Sequence, residues 1–385
     1  MRSLELFSGA GGLALGLEAA GFESVALVER NLSACVTLRH NRPNWNVISE
    51  DVRKLSFGEF GPVELVAGGP PCQPFSMGGK ANGQKDQRDM FPQAVRAVRE
   101  LRPLAFIFEN VRGILRPAFR NYVEYIRLQM TYPEFPISTN VDWEKNLQRL
   151  ERHHTSRGAE GGLRYQVTIN HANAANFGVP QHRHRVFFVG FRSDLNARWF
   201  FPSHTHSGDQ LLYEQFVTKA YWSRHGLKSP VTIPDNLRKR LRDLERGVLP
   251  SSRPWLTVRD RISDLGDPRL PNLWLNHRVQ SGARAYPGHT GSPLDEPAKA
   301  LKAGDHGVPG GENMLRHLNG KVRYFSLREA SRIQTFPDDF EFPGSWTESM
   351  RQLGNAVPVE LASTVASSVA RKIQPHARQN AIQSY

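Results

Sequence analysis

Val63-Glu64-Leu65-Val66-Ala67-Gly68-Gly69-Pro70-Pro71-Cys72-Gln73-Pro74-Phe75-Ser76 decides how this chain is read. The apolar run at its start reads as a buried strand, and the glycine-rich, basic stretch 77–85 that follows reads as a loop. Cys72 is thereby set at the carboxyl end of a strand, where open α/β sheets bind ligands. Pro70 and Pro71 stiffen the backbone leading to the thiol, because proline fixes φ and restricts the residue before it. A rigidly aimed thiol beside a basic loop points to a nucleophile acting on something anionic. The alternative is a buried cysteine packed as a small hydrophobe.

Outward from this strand, the first third of the chain alternates strand and helix. Ser3-Leu4-Glu5-Leu6-Phe7 is a short strand, and residues 12–20 place Leu13, Leu17 and Ala20 at helical spacing before Gly21. Val25-Ala26-Leu27-Val28-Glu29 is a second strand, 32–40 a second helix, and Val47-Ile48 leads to Asp51. Residues 91–101 are helical, and Leu104-Ala105-Phe106-Ile107-Phe108 is a buried strand ending at Glu109-Asn110. This alternation predicts an α/β fold with a doubly wound, mostly parallel, Rossmann-like sheet. Residues 143–162, charged and then glycine-rich, read as a surface loop; strand character resumes at 165–169 and 186–191. Beyond about residue 193 the alternation is lost, and a smaller, irregular domain is expected to run to about 345. Helical spacing returns at 359–373, followed by a polar, frayed tail over 374–385.

With 385 residues the chain has room for two domains, and 39% hydrophobic and 23% charged content argue against wholesale disorder. Two cysteines, Cys35 and Cys72, give no disulfide framework and point to a reducing compartment. The first residues lack the pattern of a signal peptide, and no apolar run approaches membrane length. A cytoplasmic protein is expected, with no membrane partner. The formal net charge of +13 makes nucleic acid the default partner, with strong salt dependence of binding. Fourteen histidines are present, but no ligand spacing supports a metal; His277, His289 and His306 sit in loops.

Four constellations carry chemistry. Gly9-Ala10-Gly11-Gly12-Leu13-Ala14 fits G-x-G-x-x-A between a strand and a helix, with Glu29 twenty residues after Gly9, a nucleotide-binding arrangement open to NAD, FAD or S-adenosylmethionine. Asp51 either accepts a hydrogen bond from an adenine amino group or caps a helix. Glu109, on the same carboxyl edge as Cys72, is a candidate proton donor. In Gln181-His182-Arg183-His184-Arg185, Arg183 and Arg185 are expected to project from one face, suited to a phosphate, a carboxylate or a base oxygen.

Taken in order, Phe7-Ser8-Gly9-Ala10-Gly11-Gly12, Pro70-Pro71-Cys72-Gln73, Glu109-Asn110-Val111 and Gln181-His182-Arg183-His184-Arg185 resemble the cytosine-C5 DNA methyltransferase family, of the bacterial restriction-modification type. So do Arg323-Tyr324-Phe325-Ser326-Leu327-Arg328-Glu329-Ala330-Ser331-Arg332-Ile333-Gln334-Thr335-Phe336-Pro337 and Gln352-Leu353-Gly354-Asn355-Ala356-Val357-Pro358. The resemblance implies an S-adenosylmethionine site in which Phe7 packs on the adenine, Glu29 holds the ribose and Asp51 takes the adenine amino group. Gly9, Gly11, Gly12, Pro70, Asn355 and Val357 would complete it. The catalytic domain would then be discontinuous, 1–192 plus 346–385, with target recognition in 193–345.

The resemblance also implies the chemistry. Cys72 would attack C6 of a flipped-out cytosine so that C5 can take the methyl. Glu109 would hold N3 and the exocyclic amine, Arg185 the O2 side, and Arg183 would support the site. Gln73, Ser76, Lys80, Lys85 and Arg88 would touch DNA, Lys80, Lys85 and Arg88 at its phosphates. Segment 297–304 resembles the family's recognition segment, with Ala300-Leu301 where many members carry Thr-Leu or Thr-Ile. The basic run 238–242 is expected to be a solvated helix face, given Leu237, Leu241 and Leu244 at helical spacing. The implied partner is double-stranded DNA in the nucleoid, acted on by a monomer. The rival readings are a nicotinamide or flavin oxidoreductase, a DNA-binding protein that keeps the fold without catalysis, and an RNA-modifying relative.

Overall fold

The computed structural model describes residues 1–71, 89–156, 162–247, 252–303 and 311–383, with 311 and 379–383 by backbone alone. Its chain falls into two compact units: residues 1–172, 184–201 and 362–385, and residues 173–183 and 202–361.

The first unit is built on a seven-stranded sheet. Its strands are β1 (Arg2–Leu6), β2 (Glu23–Val28), β3 (Val47–Ile48), β4 (Leu65–Gly68), β5 (Ala105–Val111), β6 (Tyr165–Asn173) and β8 (His184–Arg192), in the order β3-β2-β1-β4-β5-β8-β6. The first five are parallel and β8 runs antiparallel to β5. Between them run α1 (Gly12–Ala19), α2 (Leu32–Asn41), α3 (Phe91–Leu101), α4 (Arg120–Thr131) and α5 (Trp143–Thr155). Successive strand residues face opposite ways, so both faces need cover. Leu27 and Val47 pack with Ala14 of α1 and Cys35 and Leu38 of α2. Ala26, Val28, Phe106 and Phe108 pack with α3, α4 and α5 on the other face. Cys35 is thus a small core hydrophobe. The α/β, doubly wound fold expected from the alternation is the one observed.

Two expectations are corrected here. Residues 143–155 are the helix α5, not a loop: Trp143, Leu147 and Leu150 share one face despite the charges around them. Trp143 packs edge-on against Tyr122 of α4, ring centroids 5.3 Å apart. The C-terminal helix α12 (Val359–Gln383) runs on through Pro375 instead of fraying at 374. Pro375 and Arg371, whose carbonyl it leaves without its helical donor, are both exposed. Helix α1 and α12 meet closely at Gly16, where a Cβ would stand 2.4 Å from that of Ala362.

The second unit is a set of short elements: β7 (Gln181–His182), β9 (His206–Ser207), α6 (Gly208–Leu212), α7 (Ala220–Arg224), α8 (Asp235–Arg246), β10 (Arg253–Pro254), α9 (Val258–Ile262), β11 (Ser292–Pro293), β12 (Ala298–Lys299), β13 (Met314–Arg316), β14 (Val322–Tyr324), α10 (Leu327–Ile333) and α11 (Trp346–Asn355). With little sheet to order it, this unit relies on polar anchors. The Arg328 guanidinium, fully buried, donates to the carbonyls of Leu275, Pro337 and Phe340 at 2.9–3.2 Å. Ser326 and Glu329 form a capping box at the start of α10, and Glu329 also takes two bonds from Arg323. The basic run 238–242 lies on α8, which buries Leu241 and Leu244 as its spacing predicts. His277 is buried against Ser326, Nδ1 2.8 Å from the hydroxyl, a structural contact; His289 stacks on Tyr286, and His306 lies outside the described residues. Among the described residues no helix is long and apolar enough to cross a membrane, and no cluster of three His, Cys, Asp or Glu could hold a metal.

Candidate active site

The strand order reverses direction between β1 and β4, so the carboxyl ends of the parallel strands open a crevice there. Along this edge, in spatial order, follow Asp51, Glu29, the turn 7–12, Pro70 and Glu109. The turn is unusual. Phe7, Gly9 and Gly11 have φ of 59°, 53° and 85°, and a phenylalanine in the left-handed region is strained by about 1–3 kcal/mol. Ser8 N–H donates to the Val28 carbonyl at 3.1 Å and Gly11 N–H to the Ser8 carbonyl at 2.9 Å, which lock the turn. A Cβ added at Gly9 would meet nothing within 4 Å, so the turn faces open volume.

Glu29 borders that volume. Its carboxylate accepts from Gly9 N–H at 2.8 Å and from Asn31 N–H at 2.7 Å, which fixes its orientation. Asp51 caps the short turn 52–54 and accepts from Arg53 N–H at 3.0 Å and Nε at 2.9 Å. The Arg53 hydrogen bonds hold the Asp51 carboxyl well below the usual carboxylate range. The capping alternative is therefore realised locally. It leaves room for a further donor, since a carboxylate has about four acceptor sites.

On the far side of the crevice, β5 delivers Glu109 and Asn110. Because β8 is antiparallel, its first residues lie at the carboxyl end of β5, with Val111 opposite Arg185. Glu109 and Arg185 are then diagonal neighbours on one face. They form an ion pair, Arg185 Nε to Glu109 Oε1 2.5 Å, with both residues buried. Burial pushes the guanidinium below its ordinary value, and the Glu109 charge opposes that shift. Asn110 donates from Nδ2 to the Pro70 carbonyl at 3.0 Å, tying the segment that leads to Cys72 onto β5. Cys72, Gln73, Ser76, Lys80, Lys85 and Arg88 themselves lie outside the described residues.

Arg183 departs from the expectation of a shared face. It sits between β7 and β8, and its guanidinium donates to the carbonyls of Leu301 (2.8 Å), Gly354 (2.5 Å) and Ala356 (2.9 Å). Arg185 has another partner altogether, because the chain leaves β7 before it joins the main sheet. Asn355 ends α11 and is exposed; Val357, just after it, is buried; both belong to the second unit.

Residues 1–141 and 145–371 match the family model of the C-5 cytosine-specific DNA methylases. The chain belongs to that family. The type II methyltransferase M.NgoMIV of Neisseria gonorrhoeae is 32% identical over 378 residues, 97% of this chain and 98% of that one. M.PspPI of a Psychrobacter species is 32% identical over 376 residues, 96% of this chain and 79% of that protein. Among solved structures, a protein encoded within an Escherichia coli prophage superposes with a TM-score of 0.56 at 22% identity, over 97% of this chain and 99% of that one. The Dnmt2 methyltransferase of S. pombe gives 0.55 at 16% identity, over 97% and 98%. These two likenesses concern the fold.

This methylase also carries groups at the crevice that the sequence reading passed over. Glu5, two residues before Phe7 on β1, is 1% exposed, and its Oε2 has no hydrogen-bond partner among the described residues. Burial first, and the Glu29 charge second, push its carboxyl well above the ordinary range. The signal was available: an acid flanked by Leu4 and Leu6 in a strand that burial patterns require to be apolar. The anchoring role of Asn110 depends on the β4–β5 pairing, which brings it beside the Pro70 carbonyl.

Proposed function

We propose that the methylase transfers a methyl group from S-adenosylmethionine to C5 of a cytosine flipped out of a specific duplex DNA sequence. The observation that carries this reading is the buried Glu109–Arg185 pair at the same sheet edge as the Pro70 segment that precedes Cys72. A carboxyl that donates its proton to N3 and accepts from the exocyclic amine, beside a guanidinium that donates to O2, matches a cytosine edge.

Cys72 is the nucleophile. Its thiolate forms a bond to C6, and the electron pair displaced from the 5,6 double bond makes C5 nucleophilic. Glu109 holds N3 and the exocyclic amine and Arg185 holds O2, stabilising the charge that develops on the ring. The methyl passes to C5 and leaves S-adenosylhomocysteine; water then takes the C5 proton, the C–H electron pair restores the 5,6 double bond, and Cys72 leaves as the thiolate. A stacked base is out of reach of such a site, so the cytosine is extruded. Gln73, Ser76, Lys80, Lys85 and Arg88, which follow the nucleophile, are assigned to DNA.

We assign the cofactor to the opposite end of the crevice. Phe7, Gly9, Gly11, Gly12, Glu29, Asp51 and Pro70 would hold it, with Asn355 and Val357 from the C-terminal motif. S-adenosylmethionine supplies an electrophilic methyl group when bound. The open volume at Gly9 and the buried Glu5 carboxyl, whose Oε2 has no hydrogen-bond partner among the described residues, suit a ligand that carries positive charge. We assign this chemistry to residues 1–192 plus 346–385 and sequence reading to 193–345. The protein acts as a monomer in the cytoplasm, on nucleoid DNA, and by likeness to its type II relatives protects that DNA from a cognate endonuclease.

The test is incubation of the protein with tritiated S-adenosylmethionine and mixed-sequence duplex DNA, beside Cys72→Ser and a transfer RNA control. Label in 5-methylcytosine of the duplex, absent with Cys72→Ser, is expected. Label confined to transfer RNA, or retained by the variant, would overturn the substrate or the nucleophile respectively.

A further inference from the structure

The stretch Ala300–Leu301–Lys302 has an unusual backbone environment. It follows β12, whose two residues pair with Gln181 and His182 of β7, and then has no strand beside it among the described residues. Side chains take over the ladder. Leu301 N–H donates to Gln181 Oε1 at 3.0 Å, and the Leu301 carbonyl accepts from Arg183 Nη1 at 2.8 Å. Lys302 N–H donates to Asn313 Oδ1 at 3.0 Å, and the Lys302 carbonyl accepts from Asn313 Nδ2 at 2.9 Å. All four backbone groups of two consecutive residues are thus satisfied by three side chains that are essentially fully buried.

Those side chains are themselves braced. Gln181 Nε2 donates to Gln334 Oε1 at 3.1 Å, and Arg183 also holds the Gly354 and Ala356 carbonyls. Gly354 allows the close approach: a Cβ there would stand 2.3 Å from Ala303 N. Burying a guanidinium and two amides is unfavourable unless their polar atoms find partners; with Nη1 and Nη2 of Arg183 and both amide groups bonded, the network favours one geometry for the segment it holds. That geometry leaves the Lys302 side chain exposed, steered by Glu312 at 2.7 Å from its Nζ.

We infer that Gln181, Arg183 and Asn313 are positioning residues for target recognition, a clamp that presents residues 300–302 to DNA as a preformed edge. The inference rests on the proposed DNA-methylating function and on the assignment of 193–345 to sequence reading. It gives Arg183 a role at this segment instead of at the cytosine. A preformed edge pays no ordering entropy when the duplex arrives, and it fixes which base contacts are geometrically possible.

Two measurements test it. Hydrogen exchange on the wild-type protein without DNA is expected to show the Leu301 and Lys302 amides already protected; protection acquired only on adding duplex would overturn the preformed edge. In Asn313→Asp, an oxygen replaces the amine facing the Lys302 carbonyl. With the melting temperature and cofactor binding monitored, one lost bond should raise KM about tenfold for the duplex whose methylated cytosine has been mapped. It should also lower discrimination against single-base variants, with kcat changed less than about twofold. Faster exchange at 301 and 302 with unchanged KM and discrimination would sink the recognition role, as would a fall in kcat alone. A wild-type protein that methylates no DNA would strike the proposed function instead, while the exchange experiment still judges the clamp.

Discussion

Glu5 and Glu109 are both buried carboxyl residues at one sheet edge, and their surroundings divide their roles. Glu109 faces a guanidinium; among the described residues the charge acting on Glu5 is the like charge of Glu29, in an apolar strand environment. An acid whose folded pKa is raised stabilises the native state below its unfolded pKa and loses that contribution as pH rises through the folded value. The Glu5 contribution therefore declines from the ordinary carboxylate range upward. Glu5→Gln should melt higher than wild type near pH 8 by about 1 kcal/mol of stability, with the difference vanishing towards about pH 4, checked by thermal melts across pH. Glu109→Gln keeps the shape of the site but removes the charge; methyl transfer should fall at least about a hundredfold while the protein stays folded by circular dichroism.

Elements were legible where period and turn chemistry are local. Helix α3 was read with its observed bounds because Phe91, Ala94, Val95 and Val98 mark one face and proline starts it. Helix α5 was missed because charge dominates its composition; its apolar face becomes evident only beside Tyr122 and Tyr125. Leu150 on that face is fully buried, so Leu150→Ala should destabilise the first unit by about 2–5 kcal/mol, measured by denaturant unfolding. The Asn110 anchor spans two strands. Asn110→Ala should cost about 1 kcal/mol in stability yet depress kcat more than that figure implies, because the segment before the nucleophile loses its tether.

At the scale of the molecule, the net charge of +13 bears on association. Duplex binding should weaken at least about tenfold when salt rises from about 50 mM to about 200 mM, measured by fluorescence anisotropy; a flat response would contradict phosphate contacts as the source of affinity. The compact units divide the chain near 172, 183, 201 and 361, so both the sheet and the short-element unit are assembled from separated segments.

What the sequence determined by itself was local: the strand–turn–helix at 7–12, the acid at the end of the next strand, the proline-stiffened approach to Cys72, and the order of motifs that marks the family. Each is written within a few residues, in glycine and proline chemistry and in apolar spacing. Only the tertiary structure decided which distant groups meet. The antiparallel course of β8 brings Arg185 to Glu109, and the turn between β7 and β8 gives Arg183 to three carbonyls in another part of the chain. Two arginines with one residue between them thus have different partners. The physical reason is that sequence spacing fixes side-chain alternation only within a strand, whereas strand order, strand direction and the breaks between strands fix what each side chain reaches.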